Sequence, residues 1–269
     1  MDEIESIWRT FLTPPATREM QREADLAQSA RQMTVAHEEM QIQAYSWGSG
    51  PRVMLVHGWG SRATHYFALI PMLVEMGFEV VAFDAPAHGR STGDICSAPA
   101  ISRALVAVVN SSGPVDAIVG HSLGGLSASM AIFRGMLVRR AVFLAPCCDI
   151  APSVIDFASR SGMSAEGQAE FVRIFRTEFD GQLGSIGDLL AGKSLPMLLL
   201  HDPDDPDTPF HLTESLGKSR PDAVLQPLAG AGHRGIMRHK SMLAAVGDFL
   251  RPLRDESNPP HAFGEEKGG

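Results

Sequence analysis

From residue 40 onward, apolar residues fall into short blocks separated by stretches of helical period. Residues 40–47 alternate apolar and polar, the pattern of a half-exposed strand, and Gly48, Ser49, Gly50 and Pro51 then turn the chain. Residues 53–56 form a continuous apolar run, as in a strand covered on both faces. Further strands are predicted at 79–83, 115–119, 140–145, 195–201 and 223–228. Between them, residues 63–76, 98–110, 122–134 and 238–250 read as helices; the first carries Phe67, Ile70, Leu73 and Val74 on one side. Strands alternating with helices predict an α/β fold, a mostly parallel central sheet with helices on both faces.

Residues 40–254 would form this body. Ahead of it, residues 1–39 read as a helical segment. Ile4, Ile7, Trp8, Phe11 and Leu12 lie at i, i+3, i+4, i+7 and i+8, and Pro14 and Pro15 end that helix. A second, polar helix is predicted over 17–32. The first helix suits packing on the body, and a partner helix is the other reading open to it. About 50 residues separate strands 140–145 and 195–201, more than a simple crossover uses, so a small helical cap insertion is expected at about 149–195. Phe171, Phe175 and Phe179 recur there at i, i+4 and i+8, which fits packing on the core, a wall of an apolar pocket, or both. The tail 255–269 is polar and rich in Gly and Pro, a composition expected to be disordered.

Lys and Arg total 23 against 31 Asp and Glu, a formal net charge of −8. That balance disfavours nucleic acid and anionic membrane surfaces as partners. No apolar run is long enough for an integral membrane segment. The acidic start lacks the basic region of a secretory signal. The three cysteines, Cys96, Cys147 and Cys148, form no disulfide framework and suit a reducing, cytoplasmic setting. The oligomeric state is left open, a homo-oligomer included.

Gly120, Ser122 and Gly124 fit G-x-S-x-G where an apolar strand gives way to a helix. A serine at such a turn stands above the sheet edge, at the positive end of the following helix. It needs a base to take its proton. His233, on the Gly-rich loop after strand 223–228, is the best placed of the ten histidines. The imidazole in turn needs a carboxylate. Strand 195–201 runs into a loop holding Asp202, Asp204, Asp205 and Asp207, and spacing alone does not choose among them. The backbone N–H groups of Leu123 and Trp59 are the candidate donors to a developing oxyanion. Trp59, His121, Phe171 and Phe175 are the candidate substrate-pocket residues. Residues 230–235 also match G-x-G-x-x-G, but only one helix and a tail follow, not the βαβ unit a dinucleotide site requires. No set of His, Cys and Asp has convincing metal spacing. No cofactor is expected.

The chain resembles the α/β-hydrolase-fold serine hydrolases, in particular small bacterial-type members with a short cap. The resemblance rests on VHGWG at 56–60, DAPAHGRSTG at 84–93, GHSLGG at 120–125, HDPDDPDTP at 201–209 and GAGHRG at 230–235, in family order over about residues 40–251. The family pattern H-G-x-x-D-x-x-x-P places the acid four residues after His201, which implies Asp205, with Asp202 and Asp204 behind it. Asp202 departs from the usual Gly. The resemblance further implies a structural His57, and His88 and Arg90 bracing the loop after strand 79–83. It implies hydrolysis of a small-molecule ester through a Ser-His-Asp triad. Thioesters, lactones, amides, C–C bonds and peracid formation share such a triad, and a non-catalytic ligand-binding homologue is the competing class. A serine nucleophile argues against the dehalogenase and epoxide hydrolase chemistry that uses aspartate in this fold.

Overall fold

The computed structural model describes residues 3–178 and 184–254. Among these, the strands are β1 (Arg31–His37), β2 (Met40–Gly48), β3 (Arg52–Val56), β4 (Glu79–Phe83), β5 (Ala117–His121), β6 (Arg140–Leu144), β7 (Met197–His201) and β8 (Ala223–Pro227). They form one sheet in the order β1-β2-β4-β3-β5-β6-β7-β8. β1 to β2 and β2 to β4 are antiparallel, and every pairing from β4 to β8 is parallel. The helices are α1 (Glu3–Leu12), α2 (Gln21–Ser29), α3 (Leu69–Glu75), α4 (Ala98–Ser112), α5 (Leu123–Phe133), α6 (Ala151–Arg160), α7 (Ala165–Glu178), α8 (Ile186–Leu189), α9 (Phe210–Ser219) and α10 (Lys240–Leu250).

The two-residue period of the central strands sorts their side chains into two cores. Met54, Val56, Val81, Phe83, Ile118 and Phe143 pack with α4 and α5 on one face. Val53, Leu55, Val80, Ala82, Val119 and Leu144 pack with α3 and α10 on the other. Burial on both faces accounts for the unbroken apolar runs that made these strands legible. The α/β architecture expected from the alternation is the one observed. No helix among the described residues is long and apolar enough to cross a membrane.

The N-terminal segment departs from expectation. The helix predicted over 17–32 is shorter, as α2 stops at Ser29, and residues 31–37 form strand β1. Residues 1–39 are therefore not wholly helical. β1 is an edge strand in which Val35 alone is fully buried, so its own pattern carries little strand signal. The helix expected at 63–76 divides into a 3-10 turn at Ala63–Tyr66 and α3. β5 lies two residues beyond the expected 115–119; just ahead of it the Asp116 carboxylate accepts the Arg52 N–H at 2.8 Å.

Helices α6, α7 and α8 occupy the expected insertion between β6 and β7. The aromatic face of α1 lies on it, with Trp8 5.3 Å from Phe171 and Phe11 4.8 Å from Phe157 between ring centroids. Phe179 and the tail 255–269 lie outside the described residues.

Candidate active site

β5 ends at His121 and α5 begins at Leu123, so Ser122 alone makes the turn. It does so at φ 52° and ψ −123°, a region costly for any residue with a Cβ. Its neighbours hold it there. Ser122 N–H donates to Leu144 O at 3.0 Å, and its carbonyl accepts from Gly125 N at 3.0 Å and Cys147 N at 3.1 Å. A Cβ on Gly124 would stand 2.2 Å from Val56 O, so only glycine lets the helix start this close to β3.

The Ser122 hydroxyl lies 3.0 Å from His233 Nε2, and His233 Nδ1 lies 2.8 Å from Asp205 Oδ2. The carboxylate can only accept, so Nδ1 carries the proton and Nε2 is the acceptor that faces the serine. The Asp205 side chain is fully buried. Its Oδ2 also accepts from His201 Nε2 at 3.1 Å and Thr208 Oγ1 at 3.1 Å. Its Oδ1 accepts the N–H groups of Asp207 at 2.8 Å and Thr208 at 3.1 Å. Burial pushes the carboxyl pKa up, but the bonds from His201, His233 and the two amides outweigh it and hold the group well below the usual carboxylate range. The neighbouring aspartates have other surroundings. Asp202 accepts from Gly232 N at 2.6 Å and Asp204 N at 3.1 Å, bracing the histidine loop. Asp204 is exposed.

Three further imidazoles support this centre. His121 Nε2 donates to the His233 carbonyl at 2.8 Å, while its buried Nδ1 has no hydrogen-bond partner. Burial, with His233 beside it, pushes its pKa down to about 3. His57 Nε2 accepts the Ala85 N–H at 2.9 Å and its Nδ1 donates to Gly58 O at 2.8 Å. His88 Nε2 accepts the Gly60 N–H at 3.1 Å and its Nδ1 donates to Pro86 O at 2.8 Å. Each works as a neutral imidazole, and burial lowers the pKa of both. Arg90 N donates to Asp84 at 2.8 Å. His57, His88 and Arg90 thus brace the loops after β3 and β4.

The loop after β3 passes directly over the serine. A Cβ on Gly58 would be 2.8 Å from Ser122 Cβ. Trp59 follows this point of close approach, and the amide of Leu123, as the first residue of α5, has no acceptor within its own helix.

A cavity of about 490 Å³ opens above Ser122 and His233. Of the candidate pocket residues, Trp59, His121 and Phe175 line it. Phe171 does not. It is fully buried beneath the cavity wall, with Trp8 and Phe11 packed edge-on against it. Phe11, Phe157, Met237 and Arg234 line the cavity without having been singled out from sequence. Helical spacing marks Phe11 as facing an apolar partner but does not say which. Among the described residues, Asp205, Asp207 and His233 bring ligand-type atoms within 4.8 Å of one another. Asp205 Oδ2 and His233 Nδ1 are already bonded together, however, so this cluster offers a metal ion little beyond exposed Asp207.

Residues 53–246 match the sequence model described as the alpha/beta hydrolase family. A protein of Oryza sativa subsp. indica named "probable esterase" is 32% identical over 136 residues, 48% of this chain and 48% of its own length. A pimeloyl-[acyl-carrier protein] methyl ester esterase of Neisseria meningitidis is 28% identical over 189 residues, 70% of this chain and 56% of its own. The chain thus spans about half the length of these relatives. Among solved structures, an esterase of Pyrococcus furiosus superposes with a TM-score of 0.68 at 20% identity, covering 90% of this chain and 98% of that one. At that identity the likeness concerns the fold.

Proposed function

The chain belongs to the alpha/beta hydrolase family, and from that premise we propose that it is a serine hydrolase cleaving a carboxylic ester of a small molecule through an acyl-enzyme. Ser122 Oγ attacks the ester carbonyl carbon while His233 Nε2 takes its proton. Asp205 holds the imidazole in the required tautomer and stabilises the imidazolium that forms. The carbonyl oxygen becomes an oxyanion that the Leu123 and Trp59 amides stabilise. His233 returns the proton to the alcohol oxygen as the C–O bond breaks, leaving the acyl group on Ser122. Water then attacks the acyl carbonyl, giving its proton to His233. The acid departs as Ser122 recovers its hydrogen. Side-chain and backbone groups supply every step.

The observation that carries this reading is the unbroken run of hydrogen bonds from Ser122 through His233 to a buried, fully ionised Asp205. The names of the relatives agree with it. Three free, buried thiols support a cytoplasmic setting.

The test is hydrolysis of p-nitrophenyl esters from acetate to palmitate. Turnover by the wild type that falls at least about 1,000-fold in Ser122→Ala, with Tm preserved, is the expected result. Folded wild-type protein that turns over no ester in the series would overturn the reading and favour a ligand-binding role.

A further inference from the structure

One wall of the cavity comes from a part of the chain outside the residues shared with the family. Residues 10–13 line it, whereas the family match begins at 53. Phe11 stands there with Phe157 and Phe175 as an aromatic face; its centroid lies 4.8 Å from that of Phe157 and 6.1 Å from that of Phe175. The two threonines beside it add no donors. Thr10 Oγ1 donates to Ser6 O at 3.0 Å and Thr13 Oγ1 to Arg9 O at 2.7 Å, so both hydroxyls are occupied by carbonyls of α1.

Beyond this wall the chain is tied down across the mouth of the site. Leu12 O accepts the Cys96 N–H at 2.8 Å. Pro15 packs so closely on the loop after Trp59 that a Cβ on Gly60 would be 2.8 Å from its Cγ. The buried guanidinium of Arg62 donates to the Thr17 carbonyl and, at 2.8 Å, to its hydroxyl. Glu19 pairs with Arg62 at 3.6 Å and Arg90 at 3.1 Å. Residues 10–19 therefore run as a fixed strap from the insertion to the loop that carries the Trp59 amide.

The polarity of the cavity says which end of an ester meets this wall. The Leu123 side chain belongs to the same apolar cluster as Phe11, Phe157, Phe175, Cys96 and Ala98. His233, which must reach the leaving oxygen, stands beside Thr208 and exposed Asp207. The alcohol leaves toward the polar side, and the acyl group faces the apolar one.

We propose that residues 10–13 form a wall of the acyl subsite and that Phe11 sets its preference, for an uncharged, apolar acyl group longer than acetyl. The inference rests on the serine-hydrolase reading above. It is tested by kcat/KM for p-nitrophenyl acetate and octanoate in the wild type, Phe11→Ala and Phe11→Leu. In parallel, calorimetry measures octanoate binding to Ser122→Ala with and without the Phe11 changes. The octanoate-to-acetate ratio is expected to fall about 10-fold or more in Phe11→Ala, mainly through KM, and less in Phe11→Leu. If Phe11→Ala does not fold, Phe11→Leu decides by the same ratio. An unchanged ratio, with both esters falling together or neither falling, would reduce Phe11 to a packing residue and overturn the proposal. If the wild type hydrolyses no ester, the serine-hydrolase reading fails on its own. Octanoate binding weakened about 10-fold by the Phe11 change would then still uphold the apolar wall, and unchanged binding would remove it.

Discussion

Asp204 and Asp205 are adjacent in the chain and have opposite surroundings. Asp204 faces water, whereas the Asp205 carboxylate is buried among five donors. Asp205→Asn presents an amide that favours the wrong imidazole tautomer, and kcat should drop about 10,000-fold. Asp204→Asn should stay within about 2-fold, the scale of an ordinary surface change. Steady-state kinetics on one p-nitrophenyl ester separates the two, and the reverse ranking would move the acid to Asp204. His201 extends the same logic. Its Nε2–H draws charge from Asp205, so removing that donor in His201→Phe leaves a more basic carboxylate that holds the His233 proton more tightly. The acidic limb of the kcat/KM profile should move to higher pH. Residue types and chain order in the sequence suffice to nominate Ser122 and His233. Asp205 needed the four-residue step from His201, because only the folded loop shows that Asp202 turns back to brace Gly232.

At the scale of elements, the strand-to-helix turn at Ser122 concentrates the demands on the fold. Gly124→Ala puts a methyl 2.2 Å from the Val56 carbonyl, a backbone atom of a central strand that cannot yield. A loss of about 3 kcal/mol or more is expected, read as a lower urea midpoint or as failure to fold; unchanged stability would mean that β3 and α5 are less closely apposed. This turn was readable because its glycines sit between an apolar run and a helical pattern, each long enough to declare itself. β1 was not, since a mostly exposed edge strand takes its conformation from the backbone bonds of β2 and carries little apolar alternation of its own. α1 was readable as an amphipathic helix. Its position over the cavity was not, because periodicity gives the direction of a face and says nothing of its partner. Phe171 and Phe11 show the difference: both have helical apolar spacing, yet one lies beneath the wall and the other forms it.

For the whole molecule, the support of the site rests on imidazoles buried in neutral form. His57 and His88 each use one ring nitrogen as an acceptor for a backbone N–H, which protonation would abolish. His121 is pushed to about 3 by burial and by His233. In the unfolded chain each takes up a proton near pH 6.5. Below that pH the unfolded state therefore binds more protons than the native one, and acid favours unfolding. For His121 alone, going from neutral pH to pH 5.5 costs roughly 1 kcal/mol. Asp205 adds no slope in this window. Its depressed pKa contributes stability above the unfolded value of about 4, lost only as pH falls further. Asp84 opposes the trend, because burial raises its carboxyl pKa and protonation relieves that cost. These three imidazoles, joined by His65, whose pKa burial also lowers, stand against one carboxyl and set the sign. Urea unfolding should give a smaller free energy at pH 5.5 than at pH 7.5, and His121→Asn should flatten the difference by removing one of the three. Equal stability at the two pH values, or an unchanged slope in His121→Asn, would mean that these rings gain their protons without disturbing the fold.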